Sequence, residues 1–176
     1  MDIVDPLHRT RRNNRYILTV VNHFTKHAEA YALPDQEAVT IARVFLNEFI
    51  SSFCVPYIIH TDQNANFKSN MFNELFQLLN IKKTRTSPYH SQCDGQVERM
   101  NRTLIELLAL NVANPTENWD LNLGIVLIAY RSAVQSSTNF IPYFMLFGRE
   151  MRLPLDIMYR PRKASLTRFD YPNEVS

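Results

Sequence analysis

Cysteine is scarce in this chain of 176 residues. Cys54 and Cys93 are the only two and no CxxC pair occurs, so there is no disulfide framework to read and free thiols in a reducing compartment are expected. Long apolar runs are lacking as well. The longest, from Ile125 to Tyr130, is far too short to cross a bilayer. The first residues show no basic stretch followed by an apolar one, so no secretory leader is expected. An intracellular location, nuclear or cytoplasmic, with no membrane partner follows as the expectation. Internal repeats and low-complexity tracts are absent too.

What is present describes a globular protein. Hydrophobic residues make up 45% and charged residues 20%, and the length suits one domain with a buried core. The net charge of +2 says little about partners, but its distribution says more. Arg9, Arg11, Arg12 and Arg15 form one basic group, Lys82, Lys83 and Arg85 a second, and Arg149, Arg152, Arg160, Arg162 and Lys163 a third. Each either binds phosphate by releasing counterions or is solvated surface charge.

Along the chain, Met1–Val4, Arg15–Asn22 and Lys26–Leu33 read as strands. After Pro34 and Asp35, the residues Val39, Ala42, Val44, Phe45, Phe49 and Ile50 recur at helical spacing until Pro56. Tyr57–His60 is a short strand that leads to Asp62. Ser69 can cap a helix whose apolar face is Met71, Phe72, Leu75, Phe76, Leu78 and Leu79. Ile81–Thr86 is a further strand and Ser87–Gly95 a loop. A long helix is expected from Gln96 to Asn111, striped by Val97, Met100, Leu104, Leu107 and Leu108, and a last one from Trp119 to Val134. From Ser136 onward, four prolines suggest irregular chain. Tyr57, Phe72, Phe76 and Trp119 are core candidates. This order implies an α/β fold, a mixed sheet with helices packed on it.

Three acids on three of these elements could meet at one edge of the sheet: Asp2 on the first strand, Asp62 after the fourth, and Glu98 in the first turn of the long helix. Converging carboxylates suit phosphoryl transfer, where two hard divalent ions about 4 Å apart neutralise charge and align the reacting groups. Spacing alone does not separate these three from the other acids of the 17 in the chain.

Several blocks together carry a resemblance. They are MDIV at the start, RYILTVVNHFTK at 15–26, TDQNANF at 61–67 and SPYHSQCDGQVERMNRTL at 87–104, then Trp119, AYR at 129–131, SST at 136–138 and LFGREMRLPLD at 146–156. In this order they resemble the integrase catalytic core of gypsy-type LTR retrotransposons and retroviruses. Between Asp62 and Glu98 lie 35 residues, the spacing of that family's D,D-35-E signature. The resemblance implies a ribonuclease-H-like fold with a mixed five-stranded sheet flanked by helices, here with a truncated first strand. It implies a core over residues 1–156 and an irregular tail over 157–176, within a polyprotein fragment. Asp2, Asp62 and Glu98 are then the catalytic residues and metal ligands, and Mg²⁺ or Mn²⁺ the cofactor. Asn66, Tyr89, Gln92, Arg99 and Arg102 are the implied nucleic-acid contacts. DNA, both retroelement ends and target, is the implied partner, with a homo-oligomer as the assembly.

Departures from the family are also visible. Asp5, Asn64 and Asn139 stand where glycine is usual, Asn22 where Asp is, His27 where Trp is, and Ser91 where Pro is common. Asn tolerates left-handed backbone, which makes Asn64 and Asn139 mild changes. Asp5 either competes for metal or faces solvent. Asp2 is the second residue of the chain, and chain ends fray, so it is expected to be held less well than Asp62 or Glu98. His23 and His27 lack the cysteine pair that a zinc module needs. Three functions stay open: a polynucleotidyl transferase that processes and joins DNA ends, a catalytically inactive nucleic-acid-binding relic, and a hydrolytic endonuclease of the same fold.

Overall fold

Neighbouring residues of one strand decide the architecture. In β2 (Tyr16–Val21), Ile17 and Leu18 are both fully buried, although successive side chains point to opposite faces of a sheet. A strand buried on both faces needs helices on both sides. The structure, a computed structural model, describes residues 1–62, 65–85, 91–111 and 118–159.

Two compact units are present. The larger comprises Met1–Val21 and Ala28–Tyr130; the other comprises Asn22–His27 and the described residues after Tyr130. In the larger unit, β1 (Asp2–Val4) and β3 (Ala28–Leu33) flank β2, both antiparallel to it, with Asp2 opposite Thr19. β4 (Ile58–Thr61) and β5 (Lys82–Arg85) run parallel, with Ile58 opposite Lys82. One five-stranded sheet was expected; the described residues form a three-stranded and a two-stranded sheet. The amino group of Met1 donates to His60 O at 2.8 Å, placing β1 beside β4. β1 has only three residues, all of them paired with β2.

The helices cover the two faces. α1 (Ala38–Val44) passes into a π-helical stretch (Phe45–Ile50) and ends as α2 (Ser51–Phe53). α3 (Asn70–Leu78) starts as expected, with Ser69 Oγ accepting from Phe72 N. Ile41, Phe45, Phe72 and Phe76 bury one face together with Leu18, Leu33 and Ile59. On the opposite face, Met100, Leu104 and Leu108 of α4 (Ser91–Asn111) pack with Trp119, Leu123, Val126 and Leu127 of α5 (Trp119–Ser132) against Val4, Ile17 and Ala30. The stripe read from the sequence and the core place of Trp119 are both realised.

Four expectations change. α4 begins at Ser91, inside the segment expected to be a loop. Gly95 suggested a break, yet a helical glycine costs only about 1 kcal/mol relative to alanine, and a longer helix absorbs that. Tyr57 is 92% exposed, because it sits at the bend before β4 rather than within the strand. Leu78, at 84% exposure, lies off the apolar face of α3. The region after Ser136 is not wholly irregular: α6 (Pro142–Phe147) and α7 (Pro154–Tyr159) both start on a proline. Proline fits the first helical position, where its missing N–H has no partner to lose.

In the smaller unit, Asn22 Oδ1 accepts from Phe24 N and Thr25 N, both at 3.0 Å, which closes the turn. His27 is buried edge-on against Phe147. Asn139 has φ 58°, in keeping with the asparagine's tolerance of left-handed backbone at that place.

Candidate catalytic site

The site starts from strand ends. Asp2 opens β1, and Asp62 directly follows β4. The Met1–His60 hydrogen bond sets these ends side by side, and the two carboxylates feel each other's charge. Asp2 is partly buried. Burial is the first cause that holds its carboxyl above the ordinary carboxylate value, and the charge of Asp62 adds to it. The Ile3 amide, the chain's own ammonium group and Asn101 act the other way.

Asp2 is held more firmly than its place near the chain start suggested. Oδ1 accepts from Ile3 N at 2.8 Å, and Oδ2 accepts from Asn101 Nδ2 at 2.7 Å. Its backbone O accepts from Thr19 Oγ1 at 3.3 Å. Asn101 lies on α4, so this one bond ties the strand carrying Asp2 to the helix carrying Glu98. Residues three apart on a helix are neighbours on its surface, and Glu98 is three residues before Asn101. Asn101 was not singled out from the sequence. The signal was its i+3 relation to Glu98, which has meaning only once β1 is known to lie against that turn.

Glu98 is exposed. Among the described residues, no three His, Cys, Asp or Glu side chains group closely enough to hold a metal ion. The structure therefore brings Asp2 and Asp62 together and places Glu98 one turn from the residue that holds Asp2. Asn66 is half-buried in a 3₁₀ turn (Ala65–Lys68) after Asp62. Lys83 braces that turn by donating from Nζ to Phe67 O, and reaches Asn73 Oδ1 at 3.5 Å. Arg99 and Arg102 are exposed on α4, and the charge of Arg99 reaches Tyr130. Gln92 falls in the first turn of α4, with its side chain outside the described residues. Tyr89 and Asn64 also lie outside them. Asp5 is exposed and faces solvent.

A divalent cation can be tested against these residues. The donors are carboxylate oxygens, the ligands hard ions take. Asn101 Oδ1 is buried without a hydrogen-bond partner. Asp2 and Asp62 converge with the donor type such an ion takes, but among the described residues no third carboxylate groups with them, so the fit is to two ligands and not to a complete site.

The chain shares its family and its fold with known proteins. Residues 1–91 match the integrase core domain family. The chain is 33% identical over 140 residues to the Pro-Pol polyprotein of simian foamy virus type 3, covering 79% of this chain and 12% of that protein. It is 32% identical over 154 residues to the Pol polyprotein of radiation murine leukemia virus, covering 87% and 26%. It is 27% identical over 154 residues to the retrovirus-related Pol polyprotein from transposon 412 of Drosophila melanogaster, covering 88% and 12%. The chain thus spans only 12% to 26% of the length of these relatives. Its fold is that of the simian T-cell lymphotropic virus intasome in complex with the PP2A regulatory subunit B56 gamma (TM-score 0.69, 22% identity, 87% of this chain and 55% of that one). It is also that of the HTLV-2 integrase catalytic core domain in complex with magnesium (TM-score 0.64, 20% identity, 82% and 93%). This chain belongs to the integrase core domain family.

Proposed function

We propose that the chain is the catalytic core of a retroelement integrase, a polynucleotidyl transferase that processes DNA ends and joins them to target DNA. The observation that carries this is the Asp2–Asp62 pair, tied through Asn101 to the helix of Glu98. We read the two sheets as one ribonuclease-H-like five-stranded sheet in the order β3-β2-β1-β4-β5, joined where Met1 meets His60.

Asp2, Asp62 and Glu98 would hold Mg²⁺ or Mn²⁺. Such ions neutralise phosphate charge and raise the nucleophilicity of bound water or hydroxyl. The protein's own contribution is position. Asn101 fixes the Asp2 carboxylate, and Lys83 fixes the turn that carries Asn66. Asn66, Tyr89, Gln92, Arg99 and Arg102 are assigned to the DNA. The charge and fork of each guanidinium suit phosphate oxygens. A homo-oligomer is the proposed assembly, supported by the trimeric form of the HTLV-2 core and by the intasome relative.

A second reading, a nucleic-acid-binding relic without catalysis, has one observation in its favour: Glu98 does not group with the two aspartates among the described residues. Incubating the protein with labelled DNA ends, a target duplex and Mn²⁺ separates the readings. Joined products that vanish in Asp62→Asn support the transferase. Cut products without joining point to a hydrolytic nuclease, and binding without either product points to the relic.

A further inference from the structure

The connector between β1 and β2, residues 5–15, holds four arginines in seven positions: Arg9, Arg11, Arg12 and Arg15. From Pro6 to Arg15 it carries no acid. All four arginines are exposed. Exposed charge is usually plain solvation, but this connector is fastened from several sides. Leu7 N donates to Arg15 O at 2.7 Å, and Thr10 N donates to Asn14 O at 2.9 Å. Asn13, in left-handed backbone with φ 69°, donates to Thr10 O at 2.9 Å. Two contacts then fix it to the first turn of α5. Trp119 Nε1 donates to His8 O at 2.7 Å. Asp120 Oδ2 accepts from Thr10 Oγ1 at 3.1 Å and from Asn14 Nδ2 at 2.8 Å. The nearby carboxylate is thus engaged by uncharged side chains of the connector.

We infer that this connector is a preorganised binding platform for the phosphate backbone of duplex DNA. From Pro6 to Arg15 its charge is of one sign, its donors are guanidinium groups that pair with phosphate oxygens, and its backbone is already ordered, so binding loses little loop freedom. It also follows the strand that begins at Asp2. Asp5 is three residues further on, roughly 10 Å at the rise of a strand. The inference shares its DNA ligand with the integrase reading but does not need the carboxylates to be catalytic.

The test is fluorescence anisotropy with a short labelled duplex, across about 50–200 mM salt. Arg11 already has an interaction within the protein and is left unchanged. In the triple variant Arg9→Gln, Arg12→Gln, Arg15→Gln, the slope of log K against log salt should shrink by about 0.9 per arginine, or about 2.7 in all. The matching Arg→Lys triple variant should keep most of the slope, and Asp62→Asn all of it. An unchanged slope in the Gln variant, with its thermal transition at the wild-type temperature, would overturn the platform. So would tighter competition by an acidic peptide or single-stranded RNA than by unlabelled duplex. Loss of joining in Asp62→Asn with the slope intact separates this inference from the proposed chemistry.

Discussion

Replacing Asp120 by alanine removes the acceptor that Thr10 Oγ1 and Asn14 Nδ2 share. Hydrogen bonds to a charged group are worth about 1.5–3 kcal/mol each. Asp120 is only half-buried, so the lower figure applies, or about 3 kcal/mol for the two. An acid in the first turn of a helix adds about 0.3–1 kcal/mol from the helix dipole. One effect opposes these. Asp120 Oδ1 is buried without a hydrogen-bond partner, and removing an unsatisfied acceptor recovers about 1–3 kcal/mol. The net loss is about 2 kcal/mol, which for a chain of this size lowers Tm by about 4–8 °C. Differential scanning calorimetry reads this directly. A double-mutant cycle with Thr10→Val should show coupling of at least about 0.5 kcal/mol, and hydrogen exchange should speed up in residues 5–15. If Asp120→Ala melts within about 1 °C of wild type and the exchange of the connector is unchanged, the connector is not fastened to α5 as described.

Asn101→Ala should weaken Mn²⁺ binding by about 10–100-fold, the usual cost of removing a partner that orients a metal ligand; calorimetry checks this, with Tm in chelator nearly unchanged. Asp2 responds to pH in a direction set by its raised carboxyl value. The folded state binds this proton more tightly than the unfolded chain, so the associated stability is present in acid and is lost as pH rises through the folded value. Metal-free Asp2→Asn should therefore gain stability over wild type near neutral pH, and urea unfolding along a pH series measures it. His27 behaves oppositely. Burial and then the charge of Arg131 lower it from 6.5 to about 4, so stability present above 6.5 is lost as pH falls toward 4. The loss is roughly 3 kcal/mol, and His27→Phe should flatten that part of the pH profile.

Local patterns made much of the fold legible. β-branched and aromatic residues marked β2, Ser69 marked the start of α3, and the spacing of Met100, Leu104 and Leu108 marked the buried face of α4. These are short-range signals, and the structure obeys them. Features that depend on tertiary contact were not legible. Nothing in the order of residues says that Asn101 meets Asp2, because that bond spans 99 positions. Pro142 and Pro154 read as breakers because the same residue both ends helices and starts them. Tyr57 has the apolar character of a core residue but stands at a bend, where the strand's alternation does not reach. For the site, the aspartates could be named from sequence motifs. Their mutual approach rests on the contact of β1 with β4, which three residues of strand do not announce.

The most direct measurement is a Mn²⁺ titration of the purified protein by calorimetry, run beside Asp62→Asn. Saturable binding in the wild type that disappears in Asp62→Asn is the expected result, and it would place a cation at the paired aspartates. Equal binding in both proteins, or none in either, would contradict a metal site built on Asp2, Asp62 and Glu98.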